Sequence, residues 1–218
     1  MRRYGIWLLL GVALIFGVYR GCGTHGGRAA GRPGIVTGAD GVARYEVDKG
    51  KVQAYYDHWG RLERLEVDSN GDGKPDRVSH HMGKKQPSLI DIDTDFDGRI
   101  DRWEYYDDDG QLTKIGASRR GGAPDMWAVL DVQGKVVRRE YDDDHKGKVN
   151  RVEILDGGRV AQTEVDSDRD GRIDRWQHWS QGRLTSEELD TDGDGKPDRV
   201  LFYGSDGKLS GMRRLTTR

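Results

Sequence analysis

Nine-residue acidic segments recur in this chain with a spacing that suits the binding of a hard cation. In the segment that begins at Asp190, oxygen-bearing side chains occupy positions 1, 3, 5 and 9, and Gly195 at position 6 permits a sharp turn. The carbonyl of position 7 and water would complete six or seven oxygen ligands around an ion of the size of Ca²⁺. The sequence therefore predicts calcium sites, with Mg²⁺ as the weaker candidate.

Four segments keep all of these features, so we expect about four Ca²⁺ per chain. Asp and Gly also favour turns without any metal, but turn preference alone does not explain oxygen at the same four positions in four copies. The position 7 residues are included for their backbone carbonyls. The predicted ligands are Asp68, Asn70, Asp72, Lys74 and Asp76; Asp93, Asp95, Asp97, Arg99 and Asp101; Asp166, Asp168, Asp170, Arg172 and Asp174; and Asp190, Asp192, Asp194, Lys196 and Asp198.

The elements that must position these loops are strands. An EF-hand would need helices on both sides and a bidentate Glu at position 12, and only Glu104 among the four copies is such a residue. Each loop is instead followed by Arg and a β-branched or aromatic run, as in Trp103-Glu104-Tyr105-Tyr106. Such runs are typical of β-strands.

Loop starts at Asp68, Asp93, Ala117, Asp142, Asp166 and Asp190 recur every 24 or 25 residues, which is typical of a repeat protein. Between loops, a second Gly-ended turn such as 107–110 separates two strands. The sequence therefore predicts an all-β fold: an antiparallel β-meander of six to seven hairpin repeats with the calcium loops along one edge. The sheet is either curled and open or closed and barrel-like.

Two of the six loops have lost ligands. The loop at Asp142 has Lys146 at position 5, where its ammonium group can stand in for the ion, and the loop aligned at Ala117 has Arg119 and Gly121 at positions 3 and 5. We expect neither to bind calcium well. Because the strands around them stay in register, the metal loops are optional elaborations of a hairpin repeat.

Composition excludes several functional classes. Only 34% of the 218 residues are apolar, so a large conventional core is not expected. The formal net charge of −2 and the even spread of basic residues give no indication of nucleic acid binding. Four Ca²⁺ would add eight charges and move this value from −2 to +6, so the metal-free and loaded chains differ electrostatically. A single cysteine excludes an intramolecular disulfide framework, so metal is the obvious source of added stability.

The N-terminal region predicts export. Residues 1–22 combine a basic head with an apolar centre and end at Cys22, the only cysteine, which is placed for lipidation although Tyr19 and Arg20 fit a lipobox poorly. Lipidation and an uncleaved membrane anchor both remain open. Residues 23–41 have the composition of a flexible Gly-rich linker, and 42–218 form the repeat domain. We expect a membrane-anchored protein of the cell envelope, periplasmic or at the cell surface.

The loops resemble the Asp-rich calcium loops of thrombospondin type 3 repeats and of FG-GAP blades, most closely where Gly-Asp-Gly-Lys-Pro-Asp occurs at 71–76 and 193–198. The Tyr-Tyr-Asp-x-x-Gly-x-Leu stretches at 55–62 and 105–112 resemble the YD or MORN-type hairpin repeats of bacterial surface proteins. The FG-GAP resemblance implies a propeller, but its repeats have well over twice this period.

The sequence favours a structural or binding role over catalysis. It contains no nucleophile elbow, no His-Glu-x-x-His and no phosphate-binding loop, so we expect no enzyme activity. A calcium-dependent carbohydrate-binding or adhesin module, with a polysaccharide or surface protein as partner, is the alternative, and a glycosidase is the third. A column of Trp103, Trp127 and Trp176 would support carbohydrate binding if exposed and cross-strand packing if buried. His80, His81 and His178 fall in strand columns, so we assign them structural roles.

Overall fold

The repeats assemble into one continuous sheet. The computed structural model describes residues 34–37, 43–48 and 51–215, with side chains from residue 51 onward. Sixteen antiparallel strands follow one another in chain order, and no helix occurs among the described residues. Strands β1 and β16 lie at opposite ends of the sheet and do not pair with each other. The predicted all-β meander is confirmed in its open form, and neither a closed barrel nor a propeller is formed by these strands.

The strands are short, from four to seven residues. They are β1 (Gly34–Thr37), β2 (Ala43–Asp48), β3 (Val52–Tyr56), β4 (Leu62–Val67), β5 (Arg77–His80), β6 (Leu89–Ile92), β7 (Arg102–Tyr106), β8 (Leu112–Ala117), β9 (Met126–Leu130), β10 (Val136–Tyr141), β11 (Arg151–Asp156), β12 (Arg159–Val165), β13 (Arg175–Ser180), β14 (Arg183–Leu189), β15 (Arg199–Tyr203) and β16 (Leu209–Arg214).

The predicted N-terminal segments fall largely outside the described residues. Residues 1–22, including Cys22, are not described, and of the predicted linker 23–41 only β1 is described. That strand pairs with β2. No described helix is long and apolar enough to cross a membrane.

Because the sheet is an antiparallel meander, its turns alternate between the two ends of the strands. One end, which we call the loop rim, carries the acidic loops 68–76, 93–101, 118–125, 142–150, 166–174 and 190–198. The turns that join the strands of each hairpin lie at the other end, the hairpin rim. There Asp57 accepts the N–H groups of Trp59 (3.0 Å) and Arg61 (2.8 Å), so the carboxylate closes the turn. Asp107 and Asp131 repeat this geometry.

The sheet has very little apolar interior. Among the described side chains only Ala54, Ile90, Val152, Leu155 and Val200 are buried apolar residues, fewer than the buried polar and charged ones. None of the described side chains is both large and fully buried. Pairing between neighbouring strands, rather than a packed second layer, must therefore supply much of the stability, as in other quasi-one-dimensional repeat proteins.

Polar networks replace the missing core on one face. Glu104 accepts hydrogen bonds from Arg102 (2.8 Å) and from the Tyr106 hydroxyl (2.7 Å). Glu153 is held in the same way by Arg151 and Tyr141. The side chains of Glu104 and Glu153 are mostly buried. A buried carboxylate without hydrogen bonds would destabilise the fold, and these bonds remove that cost.

The tryptophan column lies in one row across the opposite face. Trp103 and Trp127 are both cross-strand neighbours of Gly116, and Trp176 lies between Glu164 and Glu188. All three tryptophans are half-buried. A Cβ on Gly116 would lie 3.3 Å from the Trp127 ring and 3.4 Å from the Trp103 Cβ, so any larger residue would push its neighbours apart by a few tenths of an ångström. This arrangement favours cross-strand packing over an exposed sugar-binding platform.

Candidate metal centre

Backbone hydrogen bonds tie the acidic loops to the sheet and to one another. In each loop the N–H of position 9 donates to the carbonyl of the residue before position 1, as Asp76 does to Val67 (2.8 Å). The N–H of position 1 donates to the position 9 carbonyl of the preceding loop, as Asp93 does to Asp76 (2.8 Å) and Asp190 to Asp174 (2.9 Å). The loops therefore form a continuous hydrogen-bonded series along the loop rim.

The carboxylate at position 1 organises each loop from within. Asp68 accepts the N–H of Gly71 on Oδ1 (2.6 Å) and that of Gly73 on Oδ2 (2.9 Å). The same two bonds are made by Asp93, Asp166 and Asp190. Desolvation by itself would raise the pKa of Asp68, but the N–H donors of Gly73 and Gly71 outweigh it and hold that pKa below its usual value. The pKa values of Asp93 and Asp190 are lowered in the same way.

Positions 3 and 5 continue the same local pattern of turns. The side chain at position 3 accepts the N–H of position 5, and the side chain at position 5 accepts the N–H of position 7, as in the bonds from Asp72 to Asn70 and from Lys74 to Asp72 (both 2.8 Å). Position 6 requires glycine because its φ is positive, +86° at Gly73 and +85° at Gly195. Hydrogen bonds within the loop and the turn at glycine therefore bring the carboxylates together without a bound ion.

Four clusters of three carboxylates result, one in each intact loop. In each cluster the three potential ligand atoms lie within 4.8 Å of one another. This spacing suits a single divalent cation, and the exposed outer positions of the loops leave room for water ligands. The clusters are Asp68, Asp72 and Asp76; Asp93, Asp95 and Asp97; Asp166, Asp168 and Asp174; and Asp190, Asp192 and Asp194.

The remaining predicted carboxylates, Asp101, Asp170 and Asp198, lie outside these clusters. Asp101 accepts a 2.6 Å bond from the hydroxyl of Thr94 at position 2, and Asp198 accepts one from Thr191. The other two intact loops have serine at position 2, and there the position 9 carboxylate belongs to the cluster. The threonine hydroxyl thus separates the intact loops into two geometries, a distinction that the sequence analysis missed.

The residues at position 7 have a second role that was also missed. We predicted only that their carbonyls bind metal, but several of their side chains reach the next loop. Arg172 donates to the carbonyl of Gly193 (3.2 Å), and Lys74 fills the space where a Cβ on Gly98 would lie. Lys51, in the turn before the first loop, likewise donates to the carbonyl of Ser69 (2.8 Å). Basic side chains therefore connect consecutive loops.

The third loop begins one residue later than predicted. We placed its first position at Ala117, but Ala117 lies in β8, paired with Arg102 and Met126. It is the N–H of Ser118 that donates to Asp101, as position 1 does elsewhere. The loop is therefore 118–125, one residue shorter than the others, and has serine in place of the organising aspartate.

Cationic side chains occupy the two loops that have lost ligands. In the third loop the buried carboxylate of Asp125 contacts Arg119 and the His145 ring, each at 3.2 Å. In the fourth, Asp144 contacts Lys146 (3.5 Å) and Arg169 of the next loop (3.6 Å). Lys146, the predicted stand-in for the ion, thus contacts one carboxylate of the fourth loop, and Arg119 pairs with a carboxylate of the third loop, where we predicted no stand-in. None of the clusters above includes a residue of either loop.

Comparisons with known proteins do not identify the chain. No protein-family model matches it, and no curated protein matches it. Similar solved structures include accessory secretory protein 1, 2 and 3 of Streptococcus pneumoniae (21% identity over 50% of this chain and 19% of that one, TM-score 0.37). A GtfA/B complex (11%, 59% and 20%, TM-score 0.29) and TarM (12%, 65% and 20%, TM-score 0.17) are also similar. The chain thus spans about a fifth of their length, and these TM-scores are too low to indicate a shared fold.

Proposed function

We propose that this protein is an exported calcium-binding repeat protein with a structural or binding role at the cell envelope. The observation that carries this proposal is the repetition of one carboxylate cluster in four loops of the same rim. Dedicated cages of several carboxylates within flexible loops are typical of Ca²⁺ sites, whereas Mg²⁺ usually keeps most of its water and uses one or two carboxylates. Calcium is therefore the proposed ion.

The structural role follows from the thin core and the clustered charge. In each of the four intact loops, three carboxylates whose ligand atoms lie within 4.8 Å repel one another, and a divalent cation would remove that repulsion. Because each loop is hydrogen-bonded to the next, ordering one loop restricts its neighbour. Calcium would therefore stiffen the whole loop rim without building the sheet itself, as suits a spacer or a platform that holds a binding surface away from the membrane.

Export and attachment to a membrane are part of the proposal and rest on the sequence of residues 1–22 and 23–41. Fractionation of cells that express the full chain tests them. The wild type should partition with membranes, and deletion of 1–22 should release it. Incorporation of labelled palmitate that is lost in Cys22→Ser would identify a lipid anchor, whereas membrane association without label would identify the apolar segment as the anchor.

Ion counting by native mass spectrometry or equilibrium dialysis tests the calcium proposal. We expect about four Ca²⁺ per chain with dissociation constants of roughly 10⁻⁴ to 10⁻³ M, as in extracellular modules. Asp194→Asn keeps an oxygen that can accept the Lys196 N–H (2.8 Å) but removes one ligand charge, so it should weaken one site.

Asp206→Asn is the matched control, because Asp206 makes the same bond to Lys208 (3.1 Å) on the hairpin rim, outside the four clusters. The control should leave both the count and the affinities unchanged. A wild-type count of zero or one, or equal effects of the two substitutions, would contradict the proposal.

A further inference from the structure

The shortened third loop, 118–125, has backbone donors that lack acceptors. In the intact loops the two N–H groups at positions 4 and 6 are accepted by the position 1 aspartate, as Gly71 and Gly73 are by Asp68. The third loop has Ser118 in that place, and within the described chain no acceptor bonds the N–H of Gly121 or Gly122. Both glycines have positive φ, +74° and +96°, so the chain turns sharply at these donors.

Arginines without ion-pair partners surround these donors. Arg99, from the preceding loop, and Arg120 make no ion pair with any described residue, whereas Arg119 is paired with Asp125. The Arg99 side chain approaches Gly121, since a Cβ built there would lie 3.6 Å from its Cδ. A groove of about 400 Å³ is lined by Arg99, Ile100, Arg120, Gly121 and Gly122. Two arginines without ion-pair partners and two glycines with free N–H groups therefore line this groove.

We propose that this groove binds a phosphate group. The planar guanidinium groups of Arg99 and Arg120 suit the two-point recognition of phosphate oxygens. Successive N–H groups in a tight turn form the kind of concavity that holds an anion, and Gly121 and Gly122 supply them. The groove is open and its donors belong to neighbouring loops of one rim, so the phosphate of a larger molecule, such as a phosphodiester of an anionic polymer, can enter as readily as a free phosphate ion.

Calcium should strengthen this binding, and this part of the inference rests on the proposed function. An adjoining cavity of about 260 Å³ is also lined by Arg99, Arg120 and Gly121, together with Asp95, Asp97 and Asp101 of the second loop. Without metal these carboxylates oppose an incoming anion. A Ca²⁺ ion in the second loop would offset two of their negative charges and weaken this repulsion.

The probe is glycerol 3-phosphate, with glycerol as the uncharged reference, and binding is followed by amide chemical shifts of the isotopically labelled protein at fixed ionic strength. We expect saturable shifts confined to Gly121, Gly122 and their neighbours. Arg99→Gln with Arg120→Gln should weaken binding at least about tenfold, because each removed hydrogen bond to a charged group contributes about 1.5 kcal/mol or more. Arg159→Gln, an exposed arginine on the hairpin rim, is the matched control and should leave binding unchanged.

The source of the phosphate is distinguished by comparing glycerol 3-phosphate with a short glycerol phosphate oligomer. Tighter binding per phosphate by the oligomer would identify a polymer, and equal binding a free phosphate. Absence of saturable shifts in the wild type with and without calcium would overturn the site, as would equal weakening by Arg159→Gln. If about four calcium ions bind but calcium leaves phosphate affinity unchanged, the calcium dependence is wrong while the proposed function stands. If no calcium binds, the proposed function fails independently.

Discussion

Installing a carboxylate at Lys146 should convert the fourth loop into a fifth metal site. This loop keeps part of the organising geometry. Asp142 accepts the N–H of Gly147 at position 6 (2.6 Å), as in the intact loops, but its other oxygen accepts the N–H of Lys146 at position 5 (3.1 Å) instead of that of position 4. Asn150 supplies an oxygen at position 9, where it accepts the Asp143 N–H (2.7 Å). Among the four ligand positions only position 5 lacks an oxygen, and Lys146→Asp supplies one.

The magnitude follows from the spacing of charges in the intact loops. Two carboxylates 4.8 Å apart repel by about 0.9 kcal/mol in water, so a new aspartate facing Asp142 and Asp144 should cost about 2 kcal/mol without metal. The lost contact between Lys146 and Asp144 is a surface ion pair and adds at most about 1 kcal/mol. Calcium at tenfold above its dissociation constant would return about 1.4 kcal/mol. The variant should therefore be less stable than wild type in chelator and regain about half of the difference in calcium.

Native mass spectrometry counts the ions, and hydrogen exchange at 142–150 with and without calcium measures local stability. Lys146→Met is the control, because it removes the ammonium group without adding an oxygen ligand. We expect five ions in Lys146→Asp and four in both wild type and control. A fifth ion in Lys146→Met, or a count of four in Lys146→Asp at millimolar calcium, would refute the reasoning that ligand oxygen at position 5 decides which loops bind.

Three further outcomes test other parts of the structure. Asp57 has a pKa held below 3.8, because hydrogen bonds from Arg61 and Trp59 outweigh desolvation, so its stabilisation is present above about pH 4 and lost as the pH falls. The difference in urea midpoint between wild type and Asp57→Asn should accordingly be largest at neutral pH and shrink as the pH falls below about 4, and a pH-independent difference would contradict this. Desolvation and the hydrogen bond to Glu104 raise the pKa of Tyr106 to about 12, so the folded state should lose stability as the pH rises from 10 toward 12. In an ultraviolet titration, Tyr106→Phe should remove the tyrosine ionisation that occurs at the highest pH. Gly195 has φ +85° and no atom near an added Cβ, so Gly195→Ala in chelator should lower the free energy of unfolding by about 1 to 2 kcal/mol through backbone strain alone. Gly211 lies in β16 without positive φ, so Gly211→Ala should be neutral or slightly stabilising. Equal thermal shifts of the two variants would refute this.

The repeat, the strands and the clustering of carboxylates could all be predicted from the amino-acid sequence. These features depend on contacts between residues close in the chain. The Asp68 carboxylate bonds the N–H groups of Gly71 and Gly73, and Asp57 bonds that of Arg61, so both patterns can be recognised from spacing alone. Period-two alternation then predicts strands between such turns. The loss of the ligand at position 5 of the fourth loop could be predicted in the same way, because Lys146 occupies a fixed place in the nine-residue pattern.

The contacts between neighbouring repeats could not be predicted in this way, because they join residues far apart in the chain. The bonds from Asp93 to Asp76 and from Arg172 to Gly193 join residues of different loops, and no local pattern specifies them. The third loop was misplaced at Ala117 because its start is set by pairing with Arg102 and Met126, not by its own composition. Whether the sheet closes depends on twist accumulated over all sixteen strands. The sequence therefore determined what each hairpin contains, and the pairing between hairpins determined that the sheet is open and that its loops act as one rim.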